Sequence, residues 1–275
     1  MRLFLPLAIA MAVLLAACGG GDDGEPASTG TPASPAGGSP AAAATVTPGS
    51  PTAAATGAAP TAEATVENRP EVEALLKAAS LRQEDLPEGY TLDEEGFTTN
   101  EEAVGETSGP GEPTLEDLNG FGRILGYDAS YSDLASLTAL TEGGTVSIQV
   151  TTTLYQDSDG ADDAFEFVRD QATDPEFVDA FRASTEGPGM EIRDATISEM
   201  SVAKLGDKRL ALEIKVSAHS TDLDQDFDFI AQVVGIRRDR VVGAVTVLAI
   251  DETSSEVALE DLARTLDERM KDALE

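Results

Sequence analysis

Between Gly19 and about Val66 the chain holds glycine, proline, alanine, serine and threonine, few charges and almost no large aliphatic residue. Such a stretch cannot bury enough apolar surface to offset the entropy lost on ordering it. Pro26, Pro32, Pro35, Pro40, Pro48, Pro51 and Pro60 break any helix the alanines start. The tract predicts a disordered tether with a root-mean-square span of ~35–40 Å, longer where the prolines favour polyproline II. Its Ser/Thr/Pro content permits O-glycosylation. A folded core must therefore come from the segment after it, about Arg69 to Glu275. That is roughly 200 residues, enough for one domain with a real core.

The segment before the tether is of another kind. Met1-Arg2 is a short cationic start, and Leu3 to Ala17 is uncharged and mostly apolar. As a helix this run reaches only ~22 Å at ~1.5 Å per residue, short of the ~30 Å hydrocarbon core. A charged start, a short apolar region and small residues at its end predict a secretory signal over 1–17 rather than a spanning helix. The chain's single cysteine, Cys18, follows at once and excludes an intramolecular disulfide.

Leu15-Ala16-Ala17-Cys18 resembles the bacterial lipobox: a branched apolar residue, two small residues, then cysteine. The small residues leave room for a peptidase to take hold of extended backbone. The resemblance to bacterial lipoproteins implies cleavage before Cys18 and a diacylglyceryl thioether on its sulfur. Two acyl chains meet the requirement for stable anchoring, whereas one chain holds only marginally. The domain plan is thus a signal peptide at 1–17, a lipidated Cys18 with its tether at 18–68, and an α+β domain at 69–275. The lipid is the only group attached, with no cofactor and no metal expected. The resemblance implies a location at the cell membrane, with the chain exposed outside the cytoplasm.

The chain carries 18 Lys and Arg against 51 Asp and Glu, a net charge of −33. That surplus repels nucleic acid and bare anionic headgroups, so the membrane is reached through the lipid. The other partner expected is an extracellular protein or a small ligand.

Hydrophobic spacing gives the elements. Val72, Leu75, Leu76 and Ala79 predict a helix over 70–79, opened by Pro70. "DLPEGY" at 85–90 is a turn, and the acidic, Gly/Pro-broken 93–119 reads as a short strand and a long loop. Phe121, Leu125, Tyr127, Ala129 and Tyr131 share one parity, as do Val146, Ile148, Val150, Thr152 and Leu154. Asp159 is the expected cap of a helix bearing Ala161, Phe165, Val168 and Ala172. A second helix starts at Asp174-Pro175 with Phe177, Val178 and Phe181. A strand is expected over 192–205, then alternation through Leu210, Leu212, Ile214, Val216 and Ala218. "DFIAQVVGIRR" and "VVGAVTVLAI" are more continuously apolar, as strands covered on both faces, and reverse at Asp239. Thr253 and Glu256 match a capping box ahead of a helix striped by Leu259, Leu262, Leu266 and Met270. The fold class is α+β, a mostly antiparallel sheet packed by helices on one face.

"DLPEGY", "GRILGYDASY", "DSDGADDAFEFV", "KLGDKRLAL", "VVGIRRDRVVGAVTV" and "LEDLARTLDERM" together resemble, in that order, the PsbP/Mog1-like lipoproteins and the external sensor domains of PknH-type kinases. PknH-type sensors carry disulfides, which one cysteine cannot form. The resemblance implies an α+β domain used for binding or sensing rather than catalysis.

Chemistry-bearing residues are sparse. His219 is the only histidine, so a two-histidine metal site cannot form, and no G-x-S-x-G turn accompanies it. It is expected on the surface near a hairpin, and no catalytic residue is assigned. Asp222, Asp224, Asp226 and Asp228 are a candidate cation-binding set. The EF-hand pattern fails, because the sixth and twelfth positions from Asp222 are Phe227 and Val233. Along a strand the same carboxylates form one solvated face. Arg237, Arg238 and Arg240 form a basic knot on a hairpin, expected at exposed positions. Phe165, Phe177, Phe181, Phe227 and Phe229 are candidates for an apolar ligand pocket and equally for an ordinary core. The leading reading is a membrane-anchored, non-catalytic binding or sensing domain. The alternatives are a carrier of a lipid or other hydrophobic ligand, and a hydrolase built on carboxylates.

Overall fold

The computed structural model describes residues 68–104, 113–132, 144–172, 174, 190–221, 224–250 and 258–275. The signal segment, Cys18, the tether up to residue 67, Phe177 and Phe181 with their expected helix, Asp222, and the Thr253/Glu256 pair lie outside the described residues. No helix among the described residues is long and apolar enough to cross a membrane.

The elements run α1 (Arg69–Ala79), β1 (Thr91–Thr98), α2 (Asn100–Val104), α3 (Leu115–Gly120), β2 (Arg123–Ser132), β3 (Gly144–Tyr155), α4 (Ser158–Ala172), β4 (Met190–Glu199), β5 (Lys208–Ser220), β6 (Gln225–Arg238), β7 (Val241–Ile250) and α5 (Leu259–Leu274). The strands form one sheet in the order β1-β2-β3-β7-β6-β5-β4, antiparallel at every pairing. Two meanders, β1-β2-β3 and β4-β5-β6-β7, join where β3 lies against β7. This is the α+β, antiparallel class that the alternating segments predict.

Strand parity sorts the side chains onto two faces. On the front, Leu125, Tyr127, Ala129 and Tyr131 of β2 meet Ile148, Val150 and Leu154 of β3. Val245 and Val247 of β7 continue that layer. Over it lie α1, through Leu76 and Ala79, and α5, through Leu262, Leu266 and Met270. The two helices pack side by side, as the one-face arrangement requires. The arrangement differs in α4, which lies on the back. There Ala161 and Ala164 contact Tyr155 and Val242, residues of the opposite parity. The physical reason is that β6 and β7 are apolar on both parities, so the back also needs cover.

Several local expectations change. The region 93–119 contains two short helices, α2 and α3, beyond the predicted strand; residues 105–112 are outside the described set. At α3, Thr114 and Asp117 cap each other reciprocally: the Thr114 hydroxyl accepts from the Asp117 N–H at 3.2 Å, and the Asp117 carboxylate accepts from the Thr114 N–H at 2.9 Å. Asp157, not Asp159, accepts a backbone N–H at the start of α4, that of Gly160 at 2.8 Å. Helix α5 begins after Ala258, well beyond the Thr253/Glu256 pair. Phe121 precedes β2 and packs on Phe167 of α4, with ring centroids 5.6 Å apart. A bulge between Thr145 and Ser147 takes Val146 out of the front parity and against the back-face cluster. Strand β4 ends at Glu199, short of Leu205, and Gly206 turns the chain at φ 53°.

Candidate functional site

An apolar slot lies between α4 and the back of the sheet, with a cavity of about 70 Å3. Its floor is Leu212 and Ile214 of β5, Val233 of β6, and Val242 and Ala244 of β7. Phe165, Phe167, Val168 and Ala172 of α4 form the roof, and Pro113 and Leu118 close the end near β2. The helical spacing of these α4 residues is what aims them at the sheet. Small residues in β6 and β7 leave the space: the Phe165 ring stands 3.8 Å from where a Cβ on Gly235 would sit.

The polar end of the slot belongs to β3. Thr151 stands in the wall, and its hydroxyl donates to Asp128 Oδ1 at 2.9 Å. On the other side the Thr98 hydroxyl donates to Asp128 Oδ2 at 3.3 Å. A rung of β1, β2 and β3 side chains thus holds one largely buried carboxyl. Burial pushes Asp128 up to about 7, against the downward pull of Thr151, Arg123 and Thr98. Arg123 is itself buried, donating to the Thr98 carbonyl at 3.1 Å and to Asn100 Oδ1 at 2.8 Å. Thr246 lies on the same face, beside Ala244 in β7 and opposite Val233 in β6. Its hydroxyl is buried and has no hydrogen-bond partner among the described residues.

The residues singled out in the sequence are spread over the sheet. Phe165 is in the slot. Phe227 and Phe229 are buried on the same face in a separate cluster with Ile214, Val216 and Ile250, and do not line the slot. His219 is on the front, where β4 to β6 extend beyond the helices; its Nδ1 lies 2.7 Å from Asp226 Oδ1. Arg193 donates to the other oxygen of Asp226 at 2.7 Å. The hydrogen bond from His219, with Arg193, holds the Asp226 carboxyl below its ordinary range. Asp228 accepts from Ser217 at 2.6 Å, and Asp224 occupies a turn at φ 51°. Asp224 also lies 3.8 Å from His219 Nε2, so Asp224 and Asp226 flank one imidazole while Asp228 is engaged by Ser217.

The basic knot is less exposed than the hairpin suggests. Arg237 reaches Asp162 at 3.1 Å, and Arg238 grips Asp267 with two donors at 2.7 and 2.8 Å. Only two residues, Asp239 and Arg240, form the turn, with Asp239 at φ 51°. The knot ties α4 and α5 to the β6–β7 hairpin. Lys208 adds to this by bridging Asp162 and Glu166 of α4.

Asp128, Thr151 and Thr98 are absent from the sequence reading. In "GYDASY" Asp128 has the parity opposite to Tyr127 and Ala129, which one-face burial assigns to solvent. The available signal was the run of threonines 151–153 in a strand otherwise alternating.

No protein-family model matches the chain, and no curated protein matches it. Among solved structures, the extracellular domain of PknH from Mycobacterium tuberculosis is similar at 10% identity, over 74% of this chain and 96% of that one, with a TM-score of 0.39.

Proposed function

We propose that the chain is a membrane-anchored extracytoplasmic lipoprotein whose α+β domain binds or senses a partner or small ligand without catalysis. The observation that carries the binding reading is the slot under α4, an apolar recess whose hydroxyl-bearing lining residues, Thr151, Thr153 and Tyr155, all come from one strand, β3. Small-molecule sites commonly combine apolar walls with a few placed polar groups. At about 70 Å3 the cavity is far below the ~300–1,000 Å3 of drug-sized sites, which supports a compact occupant over a lipid carrier. Asp128 stands with two threonine hydroxyls and Arg123 rather than with a second carboxylate, which supports binding over carboxylate-pair hydrolysis. The anchor rests on Leu15-Ala16-Ala17-Cys18 directly after the short apolar run. Expressed in a bacterial host, the chain is expected to incorporate labelled palmitate, and Cys18→Ala is expected to lose the label. Labelling of the variant at the parent level refutes the anchor.

A further inference from the structure

The Asp128–Thr151 pair gives the slot a polar end whose hydrogen-bonding sense depends on one proton. Resting on the ligand-binding reading above, we propose that the slot takes a compact neutral carbonyl compound, its apolar body under α4 and its oxygen accepting a hydrogen bond from Thr151. When Asp128 is ionised it can only accept, so the Thr151 hydroxyl spends its proton on Oδ1 and turns a lone pair toward the slot. When Asp128 is protonated it can donate to the Thr151 oxygen, and the Thr151 proton is released to point into the slot. An acceptor-only oxygen is received in the second state and refused in the first. An alcohol, which both donates and accepts, is received in either.

Size and neutrality follow from the walls. A dry cavity of ~150 Å3 lined by aliphatic and aromatic groups holds a benzene ring, so about 70 Å3 corresponds to about three carbons. A charged ligand would lose its hydration against walls that are almost wholly apolar. The buried Thr246 hydroxyl, beside Ala244 and Val233 of the floor, is a second donor in want of an acceptor near that recess.

Few other charges intervene. Among the described residues, β1 presents Thr98 and Gly96 to Asp128, and β3 presents Thr151. Arg123 at the start of β2 is the charged group that acts on it, and its guanidinium is fixed by Thr98 and Asn100. Of the nearby short helices, α2 brings Asn100 to Arg123 and α3 brings Asn119 to Asn100; α2 also carries Glu102, whose carboxylate is held low by Thr99 and feels the Arg123 charge, so it stays ionised over the range in which Asp128 titrates.

The test uses acetone and 2-propanol as probes on the full chain, followed by methyl NMR shifts of Leu212, Val233 and Val242. Acetone is expected to shift these methyls and to bind about tenfold tighter at about pH 5.5 than at about pH 8, because the competent form falls to roughly a tenth over that range. The affinity of 2-propanol is expected to change little. Asp128→Asn, a near-isosteric change, is expected to keep acetone binding and abolish its pH dependence; Thr151→Val is expected to weaken both probes. Ala244→Phe, which fills the slot, is expected to abolish the shifts. Equal acetone affinity at both pH values, or a pH dependence that survives in Asp128→Asn, overturns the proton-gated carbonyl site while leaving the slot a binding site. No shift of the slot methyls by either probe overturns the proposal together with the binding reading of the slot, and leaves the palmitate test of the anchor untouched.

Discussion

Asp128 exchanges water for two hydroxyls and the field of one guanidinium, and burial outweighs all three. Its folded-state value, about 7, is above the 3.8 of an ordinary aspartate. Folding therefore favours the protonated form. The stabilising contribution is complete below about pH 4 and is lost as pH rises toward and through 7, a change on the order of 4 kcal/mol. Other carboxyls run the opposite way: Glu95, bonded by Lys77 and Tyr127, and Asp117, bonded by Thr114, are held low and lose their contribution only in acid. The comparison with Asp128→Asn isolates the one group. Between about pH 5 and 8 the parent's urea midpoint is expected to fall relative to the variant's, and parallel curves would mean that Asp128 does not titrate in this range. At this scale the sequence tells little. Parity announces which residues turn inward on a strand with one covered face, as it does for Leu125, Tyr127, Ala129 and Tyr131. It misplaces an acid on the other parity when that face is covered as well.

Helix α5 shows how an element is both legible and incompletely so. Its stripe of Leu259, Leu262, Leu266 and Met270 reads directly from the 3.6-residue period, and all four are buried. Its start does not, because the Thr253/Glu256 signal precedes Ala258, where the helix begins with no side-chain cap. Its fastening is also hidden, since Asp267 and Arg238 lie 29 residues apart and their pairing needs the hairpin to be formed. The same holds for Arg269, which reaches Asp85 at 2.6 Å from the far end of the domain. Asp267 also accepts from the Gly206 N–H at 3.1 Å, so one carboxylate ties α5 to two turns of the sheet. Arg238→Met leaves that carboxylate, only 13% exposed, without its cation. The expected loss is about 3 kcal/mol, smaller when Asp267→Leu is added, because an apolar pair avoids the stranded charge. A double-mutant cycle by urea unfolding measures the coupling; additive losses would show that the two side chains do not act as a pair.

At the scale of the molecule, attraction between a few well-placed pairs competes with repulsion among many carboxylates. Even if each of the 18 Lys and Arg residues neutralised one acid, 33 of the 51 Asp and Glu would remain. The alternating strands and the apolar core hold this charge together without removing it, which is why fold class is readable from hydrophobic spacing although composition is so acidic. Exposed like charges interact through water and are screened as salt is added; the Debye length falls from ~10 Å at 0.1 M to ~3 Å at 1 M. The pairs that fasten α5, Arg238 of β6 to Asp267 and Arg269 to Asp85 in the turn ahead of β1, have one or both partners under 20% exposed and are screened less. Self-repulsion should thus relax faster than the fastenings weaken. At pH 7 the urea midpoint is expected to rise between about 0.1 M and about 1 M NaCl. The opposite result, a midpoint that falls with salt, would show that ion pairs outweigh the net charge in stability, and would place the cohesion of the domain in its side-chain bridges rather than in the two apolar faces of the sheet.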